Sequence, residues 1–240
     1  MILTLFLFYL FSWEYPTSVG IGCNAANKND TENFLLFLEE LRADPHGHTL
    51  TITVATSLVP YIGPDGNPST DLSRLAKVID FMVPMNYDVW GSWSATVGPN
   101  APLDDTCAAT ENQAGSAVSA VKKWKAAGIP SDKIVLGVPS YGHSFQVSKT
   151  DAFEPGSNSV LASYPSFNSS AHPTGDAWDD PKDLDVCGKP QLPGGTFNYW
   201  GLFEPEGFLN KDGTPKQGIS YRFDNCSQTV SFFIFYFSCC

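Results

Sequence analysis

A single carboxylate, Glu14, stands at the end of an unbroken apolar run and is the first candidate for acid–base chemistry. The run, residues 5–14, predicts a buried strand, and alternation along a strand places positions 10, 12 and 14 on one face. A carboxyl group among apolar and aromatic neighbours has a raised pKa, which suits a general acid. A solvated glutamate at a strand end fits the same pattern, so Glu14 alone does not define a site.

A second group of polar and aromatic residues lies in the segment FMVPMNYDVWGSW, residues 81–93. It begins as an apolar strand, which is predicted to end at Tyr87 and Asp88, and Trp90 and Trp93 follow. A tyrosine hydroxyl can donate to a developing oxyanion or to an acetamide oxygen, and a tryptophan face can stack on a pyranose ring. A third such segment, GVPSYGHSF, ends the next predicted strand.

The elements that must position these segments alternate between strands and helices. Helices are predicted from Asn29-Asp30 to about 44, at 71–78 and at 113–127, and further strands at 50–56, 79–87 and 134–141. This alternation is typical of βαβ units around a parallel sheet, and candidate residues at the carboxyl ends of strands favour a TIM-type barrel over a doubly wound sheet. Residues 145–226 are rich in loops and lack a helical pattern, which predicts an inserted α+β module.

Composition excludes several classes of protein. With 42% hydrophobic and 13% aromatic residues the chain is predicted to fold, and a net charge of −11 without a basic cluster argues against a nucleic-acid partner. The six cysteines form no CxxC pair and the four histidines lack metal-ligand spacing, so no metal is expected. Widely spaced cysteines and sequons at Asn29, Asn168 and Asn225 favour disulfides and secretion.

Three segments, in this order, resemble motifs of the family-18 glycoside hydrolases, which are chitinases built on a (β/α)8 barrel. WEYP at 13–16 resembles the end of the DxxDxDxE motif of strand four, and MNYD at 85–88 resembles the strand-six motif MxYD. GVPSYGHSF at 137–145 resembles the strand-seven motif GxPxYGRSF. The resemblance covers roughly residues 12–227. It implies a partial TIM barrel, about strands four to seven, at 12–144 and part of an α+β chitinase insertion domain at 145–229.

The resemblance also implies roles for individual residues. In the family a glutamate protonates the glycosidic oxygen while the N-acetyl group of the substrate attacks the anomeric carbon, so configuration is retained without an enzyme nucleophile. Carried over, Glu14 is the acid/base and Tyr87 holds the acetamido oxygen. Met85 and Asp88 line the central sugar site, and the contacts to neighbouring sugars come from Trp93, Tyr141 and His143. Chitin or chito-oligosaccharides are the expected partners, the chain is expected to be monomeric, and no cofactor is implied.

Two positions depart from the family pattern. Ser12 stands two residues before Glu14, where the family has the carboxylate that orients the acetamido group, and His143 stands where the family usually has arginine. Loss of such a preorganised electrostatic partner costs about 10²–10³ in rate, which predicts trace hydrolysis at best. An inactive, lectin-like relative that holds chitin oligomers through Trp90, Trp93 and Tyr141 is the alternative, and a non-functional product is a third.

The remaining expectations concern the cysteines and the two ends. Cys187 with Cys226 is the favoured disulfide, since both fall in the insertion-like region, and Cys23 with Cys107 is a further possibility. The apolar ends, 1–11 and 230–240, are predicted to be either a leader and a hydrophobic tail or mistranslated non-coding sequence. The second interpretation is favoured because Val230-Ser231 is what a common intron start encodes when read through in frame. Eleven residues are too few to span a bilayer, so no membrane span is expected.

Overall fold

The structure, a computed structural model, describes residues 8–179, 183–204 and 207–233, and the chain divides into two units. The first unit contains the chain up to Asn86 together with Ala117–Val138. The second contains Tyr87–Ser116 and the chain from Pro139 onward. Most of the two apolar ends, residues 1–7 and 234–240, lies outside the described residues.

Three parallel strands form the sheet of the first unit: β1 (Phe8–Phe11), β2 (Thr51–Thr56) and β3 (Phe81–Pro84). Strand β2 is central and pairs with β1 on one side and with β3 on the other. Helix α1 (Asp30–Ala43) connects β1 to β2, helix α2 (Ser73–Val78) connects β2 to β3, and helix α3 (Ala117–Ala126) follows later in the chain. The predicted alternation of strands and helices around a parallel sheet is therefore confirmed in this unit.

The strand predicted at residues 134–141 is interrupted. Its first part continues the parallel sheet by two bridges only, and the amides of Val135 and Gly137 donate to the carbonyl oxygens of Met82 and Pro84 at 2.9 Å each. Two of its apolar side chains, Val135 and Val138, are 48% and 73% exposed, so this stretch lacks the burial that would favour a full strand. Within the described residues the sheet does not close into a barrel.

The apolar core of the first unit lies between the sheet and its helices. Leu38 of α1 and Ile52 of β2 are completely buried, and so is Trp124 of α3. The Trp124 indole donates to the carbonyl oxygen of Ser57 at 2.9 Å, and its ring meets that of Tyr61 edge to face with centroids 5.4 Å apart. A buried indole with its N–H satisfied adds apolar burial without the cost of an unpaired donor.

Helix α1 begins at the predicted place, and Asn29 precedes it without capping it. The Asn29 side chain makes no capping hydrogen bond; it is the carboxylate of Asp30 that accepts from the amide of Asn27, at 2.7 Å. At the other end, Pro45 and Gly47 follow the last helical residue, as the sequence predicts. The side-chain oxygen of Asn27 accepts from the amide of Asn29 at 2.9 Å, so an Asx turn rather than an N-cap side chain precedes the helix.

Arg42, near the end of α1, joins three separate segments. Its guanidinium donates at 2.8 Å to the carbonyl oxygens of Val78 and Leu50 and to the carboxylate of Asp80. The same Asp80 oxygen accepts from the amide of Ile52 at 2.7 Å. This network fixes the C-terminal ends of α1 and α2 against the starts of β2 and β3.

We expect Arg42→Lys to lower the free energy of unfolding by about 1–2 kcal/mol, because one ammonium group cannot reach all the acceptors that the planar guanidinium group of arginine reaches. Urea unfolding of the two proteins measures the difference. Arg74→Lys is the matched control, since Arg74 pairs with Glu32 and Glu39 at the surface and its replacement should shift the midpoint much less. Equal shifts would contradict a special role for Arg42.

The second unit contains two antiparallel strand pairs. Strand β4 (Tyr141–His143) pairs with β5 (Thr196–Asn198), and β6 (Ser220–Asp224) pairs with β7 (Thr229–Phe233). The described residues between 145 and 226 form no α-helix, which agrees with the loop-rich module predicted there.

The disulfide of the second unit differs from both predicted pairings. Cys107 is bonded to Cys226, so neither the pairing of Cys187 with Cys226 nor that of Cys23 with Cys107 is formed. Beside the bond, the amide of Leu103 donates to the carbonyl oxygen of Ser227 at 2.8 Å. The long loop after β3 and the turn between β6 and β7 thus meet in space, which the spacing of the cysteines does not reveal. No helix within the described ranges is long and apolar enough to cross a membrane.

Candidate functional site

Glu14 lies in the first unit, in the loop that follows β1. Its carboxylate accepts a hydrogen bond from the Ser12 hydroxyl at 2.6 Å, and both residues are exposed. Strand β1 ends at Phe11, so the strand alternation that was expected to turn Glu14 toward a buried interior stops three residues too early. The expectation that Glu14 is surrounded by apolar side chains is therefore wrong; its observed partner is a hydroxyl group.

The chain turns back tightly beneath Glu14. The amide of Ser18 donates to the carbonyl oxygen of Tyr15 at 3.0 Å, and Gly20 has a φ of +59°. A Cβ at Gly20 would lie 2.4 Å from the carbonyl oxygen of Glu14, so only glycine fits here. A pocket of about 540 Å³ opens beside this loop, lined by residues 15–19, Ala26 and residues of the 57–62 loop. Glu14 therefore stands on a closely packed turn at the edge of a cavity.

Asp88 organises the site of the second unit. Its Oδ1 accepts a hydrogen bond from the Tyr141 hydroxyl at 2.7 Å and lies 2.8 Å from Nε2 of His143. The Asp88 amide donates to the side-chain oxygen of Asn100 at 2.9 Å, and the Asn100 amide group donates to the carbonyl oxygen of Tyr141 at 2.9 Å. Asp88 has a φ of +55°, a conformation that aspartate tolerates better than most residues. The loop after β3 is thereby fixed to β4.

Sequence reasoning missed Asn100. It lies in the long loop of residues 88–110, where neither periodicity nor a motif marks any position. The one available signal is its place between Pro99 and a second proline two residues on, a pattern typical of an ordered turn.

The same contacts determine the charge of the site. Burial opposes ionisation of Asp88, but the hydrogen bonds from His143 and Tyr141 outweigh it and hold the pKa of that carboxyl below its usual value. Burial, together with the hydrogen bond to Asp88, raises the pKa of the Tyr141 hydroxyl far above its usual value. Near neutral pH the site therefore holds an ionised carboxylate beside a neutral phenol that acts as a donor.

Aromatic rings surround this carboxylate. The ring of Tyr87 lies 6.2 Å from that of Tyr141, and the ring of Trp93 lies 5.7 Å from that of His143, both in edge-to-face geometry. Trp93 is 65% exposed, so much of its ring is available to a ligand. The second tryptophan of the segment, Trp90, is only 6% exposed.

Trp90 packs into the body of the second unit. Its ring centroid lies 5.4 Å from that of Tyr164, and a Cβ added at Gly98 would come within 2.2 Å of the indole. Although it is packed in this way, Trp90 lines a cavity of the second unit, so its contact with sugar stays a prediction. Trp90 supports the loop on which Trp93 is displayed.

A cavity of about 750 Å³ adjoins Trp90, Tyr141 and His143 within the second unit. Tyr141 and His143 belong to its wall, and aromatic side chains contribute much of the rest, among them Phe197, Tyr199, Phe208 and Tyr221. A concave, largely apolar surface with a few fixed polar groups is typical of a site for a small molecule.

The predicted site residues are divided between the two units. Ser12, Glu14 and Met85 belong to the first, in which Met85 bridges to Gly137 and its amide donates to the carbonyl oxygen of Thr56 at 2.8 Å. The remaining five belong to the second unit, which brings them into one cluster: Tyr87, Asp88, Trp93, Tyr141 and His143. We refer to these five residues as the Asp88 cluster.

Comparison with known proteins agrees with the three motifs. The model of the glycosyl hydrolases family 18 matches residues 10–232, a little beyond both limits predicted from the sequence. Chitinase-like effectors of Moniliophthora perniciosa and Moniliophthora roreri are each 55% identical over 218 residues, which are 91% of this chain and 49% and 52% of those proteins. This chain thus spans about half the length of these curated relatives.

Solved structures give the same result. A chitinase from Rhizomucor miehei is 30% identical with a TM-score of 0.80, over 94% of this chain and 58% of that one. A mutant class V chitinase from Nicotiana tobaccum, solved in complex with NAG4, is 19% identical with a TM-score of 0.61, over 94% of this chain and 53% of that one; it shares the fold. Because the family model matches nearly all of the sequence, the chain belongs to family 18 of the glycosyl hydrolases.

Proposed function

We propose that this chain is a chitinase-like protein that binds oligomers of β-1,4-linked N-acetylglucosamine through the Asp88 cluster and hydrolyses them at a trace rate at best. The observation that carries the proposal is the ionised Asp88 carboxylate, held by Tyr141 and His143 beside the exposed ring of Trp93. Sugars present hydroxyl and acetamido groups at their edges and C–H groups on their faces. A fixed acceptor beside an exposed indole matches both.

Each member of the cluster has a distinct role in the proposal. Trp93 stacks on a sugar ring, and Tyr87 donates its hydroxyl to the acetamido oxygen of the central sugar. Asp88 accepts from a sugar hydroxyl or from the acetamido N–H. Tyr141 and His143 hold Asp88 and border the neighbouring sugar. Because the polar groups are already oriented by each other, little side-chain freedom is lost when the ligand binds.

Hydrolysis is proposed to follow the substrate-assisted route. Glu14 gives its proton to the glycosidic oxygen as the bond breaks, and the acetamido oxygen of the substrate forms the new bond to the anomeric carbon. Water then opens this intermediate and returns a proton to Glu14. Ser12 can donate to Glu14, as its 2.6 Å contact indicates, but it carries no negative charge to balance the cationic intermediate.

Two observations support binding as the main function. The position two residues before Glu14 is a serine, which removes the charge that hydrolysis needs and leaves the Asp88 cluster intact. In addition, the two Moniliophthora relatives are named chitinase-like effectors.

For the architecture, we propose that β1, β2, β3 and residues 134–137 correspond to strands four to seven of the family barrel. The parallel order of the sheet and the TM-score of 0.80 to the Rhizomucor miehei chitinase support this correspondence. Strand β1 and residues 12–144 then contain the barrel portion, and residues 145–229 contain part of the insertion domain. The loop-rich character of the latter supports the assignment.

We further propose that the protein acts outside the cell as a monomer. The disulfide between Cys107 and Cys226 is of a kind that persists in oxidising compartments. The asparagines of the three sequons, Asn29, Asn168 and Asn225, are all exposed, so a glycosylation enzyme could reach them.

Trp93→Ala tests the binding function directly. We expect it to weaken the affinity for tetra-N-acetylchitotetraose about tenfold, because a stacked aromatic ring contributes roughly 1–1.5 kcal/mol. Isothermal titration calorimetry at pH 6 gives the two affinities. Trp178→Ala is the matched control: Trp178 is also a tryptophan of the second unit and is 74% exposed, but it lies outside the Asp88 cluster. Unchanged affinity in the Trp93 variant, or an equal loss in the control, would contradict the proposed site.

A further inference from the structure

His143 lies between the carboxylate of the Asp88 cluster and its exposed tryptophan. The His143 side chain is only 13% exposed; its Nε2 faces Asp88 at 2.8 Å, and its ring meets that of Trp93 at 77° with centroids 5.7 Å apart. Trp93 is supported from another side by Gly91, where an added Cβ would come within 2.3 Å of the indole. His143 and Gly91 are thus two supports of a ring that is otherwise largely open to solvent.

We propose that His143 is a positioning residue for Trp93, and that the proton on its imidazole couples the affinity for chito-oligosaccharides to pH, with tighter binding on the acidic side. The coupling to affinity rests on the proposed binding function, whereas the positioning of Trp93 does not. A residue that merely filled space between Asp88 and Trp93 would give no such dependence on pH.

The physical basis is the change in charge. A neutral imidazole donates to Asp88 only in the tautomer that carries the proton on Nε2, whereas the protonated ring donates from both nitrogens. The hydrogen bond from the cation to the carboxylate is also shorter and stronger than the neutral one. A cation within about 6 Å of an indole centroid is attracted to the negative face of the ring. The centroids of His143 and Trp93 lie 5.7 Å apart, so protonation is expected to hold Trp93 more firmly. A ligand then meets a ring that is already oriented.

Other titratable groups lie around His143. Asp88 comes from the loop after β3, Tyr141 lies on the same strand, and Tyr87 is in ring contact with Tyr141. Strand β5 places Thr196 opposite His143, and the carboxylate of Asp179 accepts from the Thr196 amide at 2.9 Å. Between pH 5 and 8, carboxylates are ordinarily ionised and tyrosines neutral, whereas histidines ordinarily titrate near about 6.5. Of these types of side chain, imidazole is the one whose charge ordinarily changes in this range.

The first test needs no ligand. In the full chain, the indole N–H resonance of Trp93, assigned by its loss in Trp93→Phe, is followed by NMR from pH 5 to 8. We expect it to shift with the same midpoint as the imidazole signals of His143, and the shift should vanish in His143→Gln. His46→Gln is the control, since the His46 side chain is 99% exposed and belongs to the first unit, and it should leave the shift unchanged.

His143→Arg provides a second variant in case the glutamine variant does not fold. It keeps a charged donor at every pH, so the Trp93 resonance should stay close to its acidic position throughout. A Trp93 indole resonance that still shifts with pH in either folded variant would overturn the proposal. So would a resonance that does not follow the titration of His143 in the native chain.

The second test measures affinity for tetra-N-acetylchitotetraose by calorimetry at several pH values. We expect binding about threefold to fivefold tighter at pH 5.5 than at pH 8 for the native chain, and no such trend for His143→Gln. A trend that persists in the glutamine variant would show that another group is responsible and would overturn the coupling. If the native chain binds the oligosaccharide at no pH, the proposed function and the coupling fail. The pH dependence of the Trp93 indole resonance still decides whether His143 positions Trp93.

Discussion

Replacing Ser12 with aspartate is expected to raise the rate of reporter release from a chitobiose substrate by about two orders of magnitude. The Ser12 hydroxyl already lies 2.6 Å from the Glu14 carboxylate, so a carboxylate at position 12 is expected to lie close to Glu14 as well. Two carboxyl groups this close share a proton, which keeps one of them available as the acid. The other supplies the negative charge that the cationic intermediate needs, and such a partner is commonly worth about 10²–10³ in rate.

The test uses four proteins under the same conditions. Besides the native chain and Ser12→Asp, the double variant Ser12→Asp/Glu14→Gln should fall back to the native rate or below it, because the proton donor is gone. Ser18→Asp is the matched control, since it adds the same charge to an exposed serine of the same loop. A Ser12→Asp rate no higher than that of the Ser18 control would mean that the missing carboxylate is not what limits this chain.

The Asp88 cluster could be predicted from the sequence because its members follow apolar strands. The MNYD and YGHSF segments stand where predicted strands end, and parallel strands bring such ends to one edge of a sheet. What the sequence could not provide is the bond that fixes the cluster. Asn100 lies in a long loop without periodicity, and its contact with Asp88 and Tyr141 exists only once that loop has closed.

The expected apolar surroundings of Glu14 are absent for a local reason. Alternation decides which face a side chain occupies only as long as the strand continues, and β1 ends at Phe11. Beyond that residue the chain turns, and Glu14 meets a hydroxyl and solvent instead of apolar groups. The same limit applies to Trp90 and Trp93, since the sequence does not distinguish them. Trp90 packs against Tyr164 in the wall of the cavity, whereas Trp93 is exposed, and burial is a property of the folded chain.

The cysteines illustrate a different limit. Six cysteines allow many pairings, and proximity within one predicted module favoured Cys187 with Cys226. The observed partner of Cys226 is 119 residues away along the chain, at Cys107. Whether two loops meet depends on how the antiparallel pair β6–β7 lies against the loop after β3, and local pattern does not encode that.

This disulfide leads to the second large expected effect. Removing it in the double variant Cys107→Ser/Cys226→Ser should lower the free energy of unfolding of the second unit by about 4 kcal/mol, because the bond closes a loop of over a hundred residues and limits the freedom of the unfolded chain. Urea unfolding without reductant, followed by near-ultraviolet circular dichroism, measures the loss. Cys23→Ser is the control, since Cys23 is exposed and forms no disulfide with any described cysteine, and the midpoint of this variant should stay at the native value.

The same substitution should also weaken binding. Cys107 lies at the far end of the loop that presents Asp88, Trp93 and Asn100, and its bond fixes that end to the turn after β6. Without the bond the loop samples more conformations, so part of the binding free energy for a chito-oligosaccharide must be spent on ordering it again. We therefore expect the double variant, without urea and at a temperature where it is still folded, to bind tetra-N-acetylchitotetraose several-fold more weakly than the Cys23 control. Equal affinity would show that the hydrogen bonds of Asn100 are sufficient to hold the loop by themselves.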